Sequence, residues 1–150
     1  MRLASSLMGF ALATLVAFPS FAVEKAEIEN ELTAYNDRYN EIIRDYDLDA
    51  FVALYNDTPL WIAPDTPPVA GLDVPRGTFG FIIQNEGFLT HSFDELFVSD
   101  DGTQAVMIGR YDLDVEKAGA QAEGTYLFVL QRNGEGWDIV VDMFNQHKAE

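Results

Sequence analysis

The chain has 150 residues, a formal charge of −16, 48% hydrophobic residues and no cysteine. The missing cysteine excludes disulfides, thiolate metal sites and cysteine nucleophiles, and the acidity argues against nucleic acid or anionic membrane surfaces as partners. The length suits one domain, and the apolar content suffices for a core that needs no cross-link.

Residues 1–22, MRLASSLMGFALATLVAFPSFA, combine Arg2, an uncharged run from Leu7 to Phe18, Pro19, and Ser20 and Ala22 in small-x-small spacing. This is the pattern of a secretory signal peptide, and its apolar run is shorter than the roughly 20 residues of a spanning helix. The expectation is an exported protein, periplasmic or secreted, with no membrane contact after cleavage. Its mature part is a single α+β domain over residues 23–150.

Residues 24–46 read as a helix, because Ile28, Leu32, Tyr35, Tyr39, Ile42 and Tyr46 recur every three or four positions. A second helix follows in DLDAFVALYND, with Asp47 placed to cap it and Phe51, Leu54 and Tyr55 turned inward. PLWIAP is a short strand, and DTPPVAGLDVPRG, with three prolines and two glycines, is irregular. TFGFIIQNEG is a short helix. Four strands complete the chain: FLTHSFDELFVS, TQAVMIGRYDLDV, AEGTYLFVLQR and GWDIVVDMFNQ, separated by the turn signals DDG, EKAGA and NGEG. Helices followed by an antiparallel meander predict helices laid on one side of a curved sheet. The last two strands are apolar on both faces, so a second copy of the chain is expected to cover the outer one.

The acidic run DYDLD resembles the start of a calcium loop, but Ala50 stands where the turn needs glycine, so helix capping is the better explanation. With only His91 and His147, no metal site is expected, and neither a zinc-protease pattern nor a nucleophile elbow occurs. What remains is a set of aromatic and polar groups: Tyr35, Tyr39, Trp61, Arg110, Tyr111, Tyr126, Asp142 and Asn145. Asp142 interrupts an otherwise apolar strand, and a carboxylate on a covered face needs a partner, water or a ligand. A three-residue turn over Asn133–Glu135 would set Tyr126 opposite Asp142, as a polar network in a cavity or as a structural pair in the core.

DLDAFVALYNDTPLWIAPDTPPVAG and GTYLFVLQRNGEGWDIVVDMFN together resemble the SnoaL-like branch of the nuclear transport factor 2-like superfamily, which also holds ketosteroid isomerases and polyketide cyclases. The shared pattern is Asp-x-Asp then Leu-Tyr, a later Gly-x-Tyr, and a final Trp-x-Ile-x-x-Asp-x-x-Asn, and the likeness spans residues 24–146. It implies a cone, in which a bent cystatin-like sheet wraps the long first helix around a deep pocket, and dimerisation through the sheet. Asp142 then looks into the cone, with Asn145 near its rim. Tyr35 matches the helix-one tyrosine of ketosteroid isomerases. The His–Asp pair of polyketide cyclases has no counterpart next to Asp142 in sequence.

Together these readings give an exported protein that binds a small apolar or aromatic molecule in a pocket lined by Tyr35, Tyr39, Trp61, Arg110, Tyr126, Asp142 and Asn145, without cofactor. The alternative is a cofactor-independent isomerase, cyclase or dehydratase with Asp142 as general base and Tyr35 or Tyr126 as hydrogen-bond donor. A third reading is a module that only dimerises or docks.

Overall fold

A computed structural model describes residues 21–134 and 136–147. Residues 1–20, nearly all of the expected leader, lie outside them. Among the described residues no helix is long and apolar enough to cross a membrane.

Helix α1 (Phe21–Arg44) buries Ile28, Leu32, Tyr39, Ile42 and Ile43, each fully buried aliphatic residue being worth about 1.5–3 kcal/mol. Tyr46 lies beyond its end, at positive φ and exposed. The second helix, α2 (Leu48–Val52), is shorter than its sequence suggests. Asp47 caps it by accepting a hydrogen bond from the Ala50 N–H, which accounts for the acidic run. Leu54 and Tyr55 are buried but not helical: Tyr55 opens strand β1 (Tyr55–Ile62), which includes the buried Pro59. Proline is tolerated because the pairing of β1 with the last strand is irregular between Tyr55 and Leu60, where a ladder N–H is not required.

The stretch expected to be irregular contains strand β2 (Val69–Ala70), paired antiparallel to β1, and the start of helix α3 (Asp73–Gln84). Helix α3 therefore begins before TFGFIIQ. Pro75 sits in its first turn, where the missing N–H costs nothing.

Strands β3 (Phe88–Val98), β4 (Gln104–Val115), β5 (Ala120–Asn133) and β6 (Gly136–Gln146) form the expected antiparallel meander. The sheet is six-stranded, curved and unclosed, in the order β2-β1-β6-β5-β4-β3, and β1 joins β6 in parallel rather than antiparallel fashion. Helix α1 packs across β3, where the Asn40 amide donates to the His91 carbonyl at 2.7 Å and accepts from the His91 N–H at 2.8 Å. A side chain thus takes the place of a neighbouring strand on the edge of the sheet.

The sheet bends where side chains are absent. A Cβ on Gly109 would collide with the Ser92 carbonyl beside the β3 bulge, and one on Gly124 with the Asn145 carbonyl and the Tyr111 ring.

The register of the last hairpin differs from the sequence expectation. Asn133 pairs with Gly136, so the loop has two residues rather than three. Leu130 then faces Ile139 while Val129 faces Val141, which leaves Val140 as an extra, bulged residue. One extra residue reverses the parity of all that follow. Trp137, Ile139, Asp142 and Phe144 consequently turn to the concave side, and Val141 and Met143 turn outward. Phe128, not Tyr126, lies opposite Asp142; Tyr126 lies opposite Phe144.

Candidate functional site

Inside the cone is an apolar cavity of about 80 Å³. Helix α3 contributes Thr78, Phe79 and Ile82; β3 and β4 contribute Leu89, His91, Tyr111 and Leu113. Trp61 and Phe144, edge to face at 5.6 Å, stand beside Asp142 on β1 and β6. Tyr39, Phe51 and Tyr126 complete the lining.

Asp142 is 4% exposed, and its carboxylate accepts a hydrogen bond from the Tyr55 hydroxyl at 2.7 Å. Burial without a cation pushes this carboxyl up to about 7, and the Tyr55 bond opposes the rise only in part. Burial first, and then the charge of Asp142, push the phenols of Tyr39 and Tyr55 well above their ordinary range, so both stay protonated donors. The sign for stability follows. The folded protein holds the Asp142 proton up to about pH 7, whereas an unfolded aspartate releases it near 3.9. Stability therefore falls as pH rises from about 4 to about 7 and stays at the lower level above that.

Of the residues expected at the site, Tyr39, Trp61, Tyr126 and Asp142 line this cavity. Three others are elsewhere. Tyr35 is held beside it, its hydroxyl donating to the Leu54 carbonyl at 3.1 Å rather than lining the space. Arg110 alternates with the inward-facing Tyr111, so it points outward, exposed, to Asp94 at 3.4 Å. Asn145 is exposed and accepts a hydrogen bond from the Thr125 N–H at 3.0 Å. The partner of Asp142 is Tyr55 instead of Tyr126, whose hydroxyl faces the Asn36 side-chain oxygen at 3.5 Å.

Two residues at the site escaped the sequence reading. Tyr55 carries a signal, since it belongs to the Leu-Tyr pair of the family pattern, but a helical assignment turned it into core. His91 carries no signal in the sequence beyond the absence of a metal-ligand pattern around it. Its ring is stacked between Tyr39, at 4.5 Å, and Tyr126, at 4.2 Å. Burial holds it neutral, with a pKa of about 3. Among the described residues no cluster of His, Asp and Glu has the arrangement to hold a metal ion.

Residues 32–143 match the SnoaL-like domain family, and the chain belongs to it. No curated protein is significantly similar in sequence. Solved structures share the fold at low identity. A nuclear transport factor 2-like protein with a cystatin-like fold from Novosphingobium aromaticivorans superposes with a TM-score of 0.68 at 12% identity, over 86% of this chain and 88% of that one. A ketosteroid isomerase-like protein from Erwinia carotovora atroseptica gives 0.60 at 19% identity, over 84% and 98%. A candidate dehydratase of the same superfamily from Streptomyces avermitilis gives 0.66 at 14%, over 84% and 99%.

Proposed function

We propose that this protein is exported and binds a small, largely apolar molecule inside the cone, with Asp142 as the polar anchor. The observation that carries the reading is a buried carboxyl in a largely aromatic and aliphatic cavity wall, with Tyr55 as its hydrogen-bond partner among the described residues. A carboxyl kept there for stability alone would be a poor choice, since an apolar residue of similar size serves a core better. A library of small neutral aromatic and alicyclic compounds, screened by thermal shift and native mass spectrometry, tests it. At least one compound should stabilise the wild type and do so less in Asp142→Asn; failure of every compound would refute the reading. Export has its own test: N-terminal sequencing of the exported protein should begin at Val23, and a mature form retaining Met1 would overturn it.

A second reading is general-base catalysis without a cofactor, of the isomerase, cyclase or dehydratase kind. It is favoured by the Asp142 pKa of about 7, where a carboxyl both ionises at neutral pH and is basic enough to remove a proton. Such an enzyme would show a rate that rises with pH through an inflection near 7 and is abolished in Asp142→Asn. A flat profile would exclude Asp142 as the base.

A further inference from the structure

His91 is an unusual residue to find in the wall of an apolar cavity. It is 9% exposed, its Nδ1 is enclosed without a partner, and its ring makes no hydrogen bond among the described residues. Both ring faces are covered, by Tyr39 and Tyr126 at interplanar angles of 15° and 14°. Only the ring edge, which carries the nitrogens, is left to meet a ligand. The backbone of His91 is fixed as well, by the paired hydrogen bonds to Asn40. A polar side chain so rigidly held and so incompletely satisfied costs stability unless something else meets its nitrogens.

We infer that His91 is a hydrogen-bonding contact for the ligand, and that the ligand is a neutral, one-ring molecule bearing a hydroxyl group. A hydroxyl fits whichever nitrogen meets the ligand, because a neutral imidazole has one donor and one acceptor nitrogen and a hydroxyl answers either, whereas a ketone answers only the donor. An anion is disfavoured because among the described residues no cationic side chain lines the space. Size follows from volume. An apolar cavity of roughly 150 Å³ admits benzene, so at about 80 Å³ this one takes a single ring only if its wall moves outward, and α3, which packs mainly on α2, is its least anchored wall. His91 thus selects for the ligand's polar group while Phe79, Ile82 and Leu113 take its apolar body.

This presupposes that the cavity binds a ligand at all, and the matched probes phenol and toluene separate the two claims. They differ only in a hydroxyl against a methyl group. The affinity of each is measured by calorimetry for the wild type, His91→Phe and Asp142→Asn. Phenylalanine keeps the stacking and removes the nitrogens. The ratio of phenol to toluene affinity should fall about tenfold in His91→Phe, the worth of one buried hydrogen bond. The imidazole ¹⁵N resonances of wild-type His91 should move with phenol and stay in place with toluene, a readout that stands even where His91→Phe fails to fold. Toluene binding with an unchanged ratio in His91→Phe, or a ratio altered only in Asp142→Asn, would overturn the assignment to His91 and leave the pocket intact. No binding of either probe to the wild type would overturn the one-ring hydroxylated ligand, while the wider binding reading falls only if the whole compound library fails as well.

Discussion

The two faces of the central strands are both apolar, yet they are used differently. On the concave face Met107, Phe128, Leu130 and Ile139 are fully buried under α1 and the cavity aromatics. On the convex face two cross-strand rows run in register, Phe97–Val106–Val129–Val141–Leu60 and Ile108–Leu127–Met143–Ile62. These side chains are only partly buried, and Phe97 and Met143 are exposed. The concave face admits polar groups, Asp142 and His91, where a ligand would sit; the convex face holds none in the middle of its rows. In the middle of the sheet, the fully buried polar residues thus lie on the face that encloses a cavity, and a large exposed apolar patch is a common mark of an interaction surface.

The contrast depends on curvature, so the largest effect is expected where curvature is made. Gly124→Ala puts a Cβ into the Asn145 carbonyl and the Tyr111 ring, neither of which can retreat without opening the sheet. A loss of about 3 kcal/mol or more in urea unfolding is expected. Gly80→Ala, in α3 with open space around it, should instead leave stability unchanged or raise it by up to about 1 kcal/mol. Equal effects at the two positions would mean that the bend is not made by close approach at Gly124.

Next in size is the pH-dependent effect of Asp142→Asn. Asparagine keeps the acceptor for Tyr55 and removes the charge. At pH 4 the two proteins should unfold alike, because the wild-type carboxyl is protonated in the fold there. At pH 8 the variant should be more stable, by on the order of 2 kcal/mol, as the wild type then holds a desolvated carboxylate. A variant less stable than wild type at pH 8 would show instead that Asp142 supports the fold as an ion.

Much of this concave architecture was legible beforehand. The helical period of Ile28, Leu32, Tyr39 and Ile42 marks α1, and the turn signals DDG and NGEG mark the hairpins. Asp142 stands out as the wrong residue for its strand. What stayed hidden was local and non-periodic. The bulge at Val140 leaves no trace in composition, yet it moves Trp137 and Ile139 onto the side of Asp142, and together with the shorter hairpin loop it replaces Tyr126 by Phe128 as the cross-strand neighbour of Asp142. Tyr55 was hidden because the Ala-Leu-Tyr run continues a helical pattern that the chain abandons at Val52. His91 was hidden because its role arises from stacking against residues on α1 and β5 that are remote in sequence. Arg110 was misplaced for the opposite reason, since a lone arginine among aromatics looks functional until the alternation of β4 is fixed.

The convex face supplies the third test. If a second copy of the chain covers the two apolar rows, Val141→Glu should convert dimers to monomers in light scattering and leave the far-ultraviolet spectrum nearly unchanged. Val141 lies in the middle of its row, between Val129 and Leu60, where a buried carboxylate in an interface is most costly. A wild type that is monomeric at high concentration would remove the dimer reading and leave the convex rows as a face without a known occupant.

The smallest effect sharpens the contrast from outside both apolar surfaces. Arg110 follows the convex row of Leu127 and Ile108 by one step, at the polar end of the sheet, and faces Asp94 at 3.4 Å with both side chains at least half exposed. Exposed ion pairs contribute roughly 0–1 kcal/mol and are screened by salt. Arg110→Ala should therefore change stability by no more than about 0.5 kcal/mol and leave the affinity of any cavity ligand within twofold of wild type. Trp61→Ala serves as the positive control, because it removes a ring that packs against Phe144 in the cavity wall. A tenfold loss of affinity in Arg110→Ala would bring the arginine back to the site, and would require a ligand long enough to reach from Asp142 around the sheet to its outer end.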